Sequence, residues 1–149
     1  MKRERGFSLI ELLIVVAIIG LIASLAIPGL ERARRYAQAG SAIQSLRTIT
    51  TAEALYERRF KVYATLTDLA PEGTVDPNLA VGIKSGYTFT LTIGLDATDI
   101  ANGKLLTFKC NADPLADNGV LDHFYVDETA VIRHKEGAPA DSSSDPIPK

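Results

Sequence analysis

Few side chains in this sequence have the types and spacing that chemistry requires. Cys110 is the lone cysteine, so no intrachain disulfide framework and no multi-cysteine zinc site can form. It could be a nucleophile, but its place in an alternating apolar stretch reads as a small core residue. Asp113, Asp117, Asn118 and Asp122 bring together the hard oxygens that calcium prefers. Their spacing fits no EF-hand loop, and a solvated turn accounts for the same residues. His123 and His134 are the two histidines. A tight turn at Glu128-Thr129 would set them on facing strands, about 5 Å apart at Cβ. Glu-Thr is a poor two-residue turn, so no metal site is assigned. No nucleophile–base pair and no phosphate loop is present, and the chain reads as a non-enzyme without a cofactor. The one conspicuous ionisable group is Glu11, which interrupts an otherwise uncharged apolar run.

That run decides the class. Met1 to Gly6 carries three bases and one acid, and Phe7 to Ile27 has Glu11 as its single charge. As a helix the run spans roughly 31 Å, about the hydrocarbon thickness of a bilayer. Bases before it and a long polar segment after it predict a cytoplasmic N-terminus and an exported remainder. A cleaved secretory signal has a shorter apolar core and a small-residue cleavage site. A buried core helix would need wrapping by about 120 further residues. A plain signal anchor fits in length but leaves Glu11 unexplained: a charge costs about 2.5–3.5 kcal/mol at the bilayer centre and less at this off-centre position, yet it still asks for a partner. Over all 149 residues, 18 acids and 16 bases give a net charge of −2. That balance weighs against a nucleic-acid partner.

The periodicity continues past the apolar run. Ala42, Leu46, Ile49, Ala52 or Glu53, Tyr56 and Phe60 recur at helical spacing, with charged residues on the other faces. The spacing predicts one helix from about Phe7 to Phe60, apolar all round over 7–28 and amphipathic over 29–60. Pro28 lacks the N–H that would bond Ser24 O, and Gly20 weakens the same stretch. A simple kink is one reading of that segment, and a stretch able to melt when pulled is the other. Residues 61–136 then alternate. Tyr87 to Leu95 reads as a strand, Leu106, Phe108 and Cys110 as a second, and 124–133 as a hairpin around Asp127 to Ala130. The expectation is α+β, with a three- or four-stranded antiparallel sheet packed on the amphipathic half-helix. Residues 61–85 read as a surface connection with one short turn at Leu66 to Leu69, and 137–149 as a disordered tail.

The string Gly6-Phe7-Ser8-Leu9-Ile10-Glu11 with its apolar continuation resembles the class III signal of type IV pilins and pseudopilins. Ala26-Ile27-Pro28, Arg32 to Arg35, Leu46 to Ile49, Thr51 to Glu53 and Tyr56 extend the resemblance across the first 60 or so residues. The segment Phe124 to Arg133 resembles the closing hairpin of some pilin heads, which commonly carry Gly where this chain has Ala130. Many pilins also close the head with a cysteine pair, which is missing here. The resemblance implies that residues 1–6 are a leader, cut between Gly6 and Phe7 by a membrane peptidase that then methylates the Phe7 amine. It implies an inner-membrane pool of single-pass subunits. An assembly ATPase and a membrane platform would draw these into a helical homopolymer on the cell surface. Two details agree on physical grounds. Gly6 lets extended backbone enter a peptidase cleft, and losing Lys2, Arg3, Glu4 and Arg5 leaves 13 bases and 17 acids. In a filament core Glu11 needs a partner, and a neighbour's Phe7 amine, one helical turn out of step, would supply it and fix register. A type II secretion pseudopilin is the alternative reading. A membrane-anchored periplasmic binding module with an uncleaved leader is a more distant one.

Overall fold

The computed structural model describes residues 7–71, 73–94, 107–116 and 121–147. The leader, Leu95, Leu106, Asp117, Asn118 and Pro148 lie outside them. The chain divides into two units, Met1–Tyr36 and Ala37–Lys149. Helix α1 runs Leu9–Phe60 and includes Pro28. Its part in the first unit presents apolar side chains on all faces: Leu9, Leu12, Val16, Ile19, Leu25 and Leu30 are all exposed.

In the second unit α1 turns amphipathic. Ala42, Ser45, Leu46, Ile49, Ala52 and Glu53 are its buried residues, at alternating three- and four-residue or adjacent steps that keep them on one stripe. The expected stripe is present over Ala42 to Ala52, and Glu53 is buried as well as Ala52. Tyr56 is half-buried and Phe60 is exposed, their rings 4.4 Å apart.

The connection after α1 departs from expectation. The short turn is helix α2 (Leu66–Leu69), but a second helix α3 (Pro77–Ala80) and strand β1 (Ile83–Lys84) follow. Leu66, Leu69, Val75 and Leu79 all enter the core. Local caps make this burial possible by satisfying backbone donors. Thr65 and Asp68 form a capping box on α2. Asp76 accepts from the Asn78 and Leu79 N–H groups at 3.1 Å, with Pro77 in the first turn of α3.

The remaining strands are β2 (Tyr87–Ile93), β3 (Phe108–Pro114), β4 (Asp122–Asp127), β5 (Arg133–Glu136) and β6 (Asp145–Pro146). Among the described residues all six strands pair antiparallel in sequence order, a meander with two more strands than the expected maximum. On β3 Phe108, Cys110, Ala112 and Pro114 are buried in strict alternation. On β4 the five residues from His123 to Asp127 are all buried, which means both of its faces are covered.

The tail explains the second cover and corrects the expectation of disorder over its described part, 137–147. Asn111 pairs with Tyr125 across β3 and β4, and its Nδ2 donates to Ala140 O at 2.9 Å. Arg133 Nη1 donates to Ser144 O, β6 pairs with β5, and Ile147 N–H donates to Ile132 O. The serine-rich composition hides an Asp141 turn, whose carboxylate accepts from Ser143 N–H at 2.8 Å. Such a segment needs little apolar burial to be ordered, because an open sheet edge supplies its backbone partners.

Candidate functional site

The first-unit helix is the candidate site. From Phe7 to Leu30 its large apolar side chains stand uncovered, with Phe7 at 78% and Leu25 at 76% exposure. It is the one helix among the described residues long and apolar enough to cross a membrane. Each such side chain left in water forgoes about 1.5–3 kcal/mol. Lipid or other apolar helices covering it would recover that energy.

Glu11 lies in the first turn of α1. Its Oε2 accepts from the Ser8 N–H at 2.9 Å, the returning half of a capping box. The helix dipole also favours an anion there. Phe7 precedes it by one turn, and Gly6 lies outside the described residues. A Cβ at Gly20 would meet nothing within 4 Å, so its missing side chain serves no packing within the chain. Within the chain its effect is on the backbone. Helix α1 continues through Pro28, and the Ser24 hydroxyl donates to Leu21 O at 2.8 Å within the weakened stretch.

Among the described residues the candidates in the second unit meet at most in pairs and do not converge on one site. Cys110 is fully buried; burial first, then the nearby Glu53 and Asp113 carboxylates, pushes its thiol far above the usual range. A thiol so held is no nucleophile. The pairing Phe124↔His134 and His123↔Lys135 corrects the facing-histidine register. The strand residues stop at Asp127 and resume at Arg133, so the connection is longer than a Glu128-Thr129 turn. That register is one residue away from the one that would face the histidines, and a one-residue slip sends a side chain to the other face. His123 Nδ1 instead meets Asp113 Oδ1 at 2.6 Å, and His134 Nδ1 meets Asp122 Oδ1 at 3.4 Å. Two of the acids considered for calcium thus pair with histidine on strands. Among the described residues no group of three His, Cys, Asp or Glu is placed to hold a metal.

The residue that sequence reasoning underrated is Glu53. It is fully buried, its Oε2 accepts from the Ala64 N–H at 3.0 Å, and Oε1 has no hydrogen-bond partner. Burial, opposed by that one hydrogen bond, pushes its carboxyl up from 4.5 to about 7. Its position on the 3–4 stripe was the available signal. The bond ties α1 to the chain that leaves it.

An uncovered apolar helix, opened by a Phe and a capping Glu and followed by an α+β unit, fits a membrane-anchored subunit. The comparisons specify which kind. Residues 1–27 match the model of the prokaryotic N-terminal methylation motif. The chain is 30% identical over 138 residues to a fimbrial protein of Moraxella nonliquefaciens, covering 82% of this chain and 86% of that one. It is 38% identical over 73 residues to the type IV major pilin protein PilA of Myxococcus xanthus, covering 47% of this chain and 33% of that one. It is also 32% identical over 89 residues to the type II secretion system core protein G of Escherichia coli, covering 57% and 61%. No solved structure matches. The chain belongs to the type IV pilin family.

Proposed function

We propose that the chain is made as a membrane-anchored prepilin, cut after Gly6, methylated at Phe7 and polymerised through its N-terminal helix into a type IV pilus. The single observation that carries this reading is the apolar helix itself. It leaves Phe7 to Leu30 uncovered and places one carboxylate, Glu11, a turn from the residue that cleavage would make N-terminal. In the membrane the leader's bases hold the N-terminus on the cytoplasmic side, and the second unit lies outside. In the filament a neighbour's Phe7 amine pairs with Glu11 and sets the axial step. The stretch from Gly20 to Pro28 unwinds there, lengthening the subunit. A prepilin peptidase, an assembly ATPase and a membrane platform are the partners this route requires. The similarity over 138 residues to a fimbrial protein favours a pilus. The shorter similarity to the secretion-system protein supports a pseudopilus as the second reading.

The test expresses wild type and Glu11→Ala, each as sole subunit, in cells with an active prepilin peptidase. Intact mass should place the start at N-methyl-Phe7 in both. Surface filaments should be abundant for wild type and nearly absent for Glu11→Ala. A retained leader sinks the processing step, and wild-type filament yield from Glu11→Ala sinks the pairing. A filament map with regular helix from Leu12 through Leu30 would refute the unwinding.

A further inference from the structure

The apolar helix ends in an abrupt change of charge. Glu31, Arg32, Arg34, Arg35 and Tyr36 follow Leu30, and all are exposed, Tyr36 at 78%. At about 100° per residue the three arginines cover an arc of roughly 160°, with Glu31 between Arg34 and Arg35 and Tyr36 beside Arg32. Depth is the second observation. Glu11 and Arg32 are separated by an uninterrupted helical rise of about 31 Å, against about 30 Å of bilayer hydrocarbon. With Glu11 at one headgroup layer, the arginines stand in the other.

The sign of this charge is not what topology alone would place there. The positive-inside bias puts bases on the cytoplasmic side, which on the membrane-anchored reading is the side of the leader's Lys2, Arg3 and Arg5. Arg32, Arg34 and Arg35 sit at the opposite end of the apolar segment. Once the leader is gone, the exported flank is the more basic one. All three are arginine, whose planar fork bonds phosphate oxygens bidentately and whose weak hydration suits an interface. Tyr36 has the amphipathic ring that settles at headgroup level.

We propose that Arg32, Arg34 and Arg35 form a collar that binds anionic phospholipid headgroups of the outer leaflet, with Tyr36 at the same depth. The collar rests on the membrane-anchored reading above. It holds the waiting subunit at fixed depth after the leader has been removed, when no cytoplasmic cationic tail does so. Glu31 is the acid that faces the arginines from their own helix, and it lowers their combined charge without cancelling it.

The chain has no tryptophan, so Tyr36→Trp makes a single local reporter. The full chain carrying it is reconstituted into vesicles of phosphatidylcholine and phosphatidylglycerol, equal in both leaflets so that insertion direction is immaterial. One lipid at a time is brominated, and quenching of Trp fluorescence gives the relative affinity at the collar. The expected preference for phosphatidylglycerol is about fivefold or more, the weight of one membrane-proximal base. It should fall to about one when Arg32→Gln, Arg34→Gln and Arg35→Gln are added, and should weaken in high salt. Equal quenching by the two lipids in the arginine chain overturns the collar alone. So does a preference that survives the three glutamines. No quenching by either lipid overturns the membrane anchor and the collar together. Loss of surface filaments in the three-glutamine chain, with no lipid preference in either, would assign the arginines to a subunit contact and overturn the proposal.

Discussion

Glu53→Gln tests the buried carboxyl of the second unit. The wild-type group is held up at about 7 against an ordinary 4.5. Below pH 4.5 folded and unfolded chains both hold the proton, and the group takes nothing from stability. Between 4.5 and 7 the unfolded chain has released it while the fold keeps it, so stability falls as pH rises through that window. At about 1.36 kcal/mol per pH unit the loss is on the order of 3 kcal/mol, and it is complete above pH 7. Glutamine keeps the acceptor for Ala64 N–H and has no charged form. Its amide N–H group takes the partnerless position of Oε1, at a cost of about 1 kcal/mol or more. The variant should therefore match or fall slightly below wild type at pH 4.5 and exceed it by about 1–2 kcal/mol at pH 8. For a unit of this size that is a Tm rise of about 4–10 °C. Urea and thermal melts of the full chain in detergent micelles, followed by tyrosine near-UV circular dichroism at pH 4.5, 6 and 8, measure it. The two chains differ only at residue 53, so the difference between the two profiles isolates Glu53. Parallel profiles would refute the reasoning, as would a Glu53→Gln chain less stable at pH 8.

Two further outcomes are expected. Ala130 holds a left-handed backbone with φ 60°, which costs a residue with a Cβ about 1 kcal/mol, so Ala130→Gly should raise Tm by a few degrees and Ala130→Val should lower it. An unchanged or lower Tm for the glycine chain in a melting scan would show that the loop relaxes around the alanine. Ending the chain after Glu136 removes β6 and strips Asn111 Nδ2 and Arg133 Nη1 of their partners, which should cost about 2–4 kcal/mol; an unchanged urea midpoint would return the tail to the role of a passive appendage.

The first 60 residues were largely legible because their signals are local. Helical period, apolar length and the Gly6-Phe7-Ser8-Leu9-Ile10-Glu11 string need no distant contact to be read. The stripe Ala42, Leu46, Ile49 and Ala52 follows from 3.6-residue geometry alone. Strand β2 was equally plain in its alternation of Tyr87, Phe89 and Leu91 with threonines. What the sequence left open depends on partners far along the chain. Residues 61–85 look like a loop, yet they carry core leucines, because capping side chains satisfy their backbone where a sheet would otherwise do so. The tail looks unable to fold and acquires order from the free edge of β5, a partner that exists only once the sheet has formed. The histidine register turned on the length of a loop, and one residue of slip sends a side chain to the other face. Glu53 shows the same division within one residue. Its place on the buried stripe was written in the spacing. The lone hydrogen bond from Ala64, and the raised pKa that follows, were set by the surfaces that close over it.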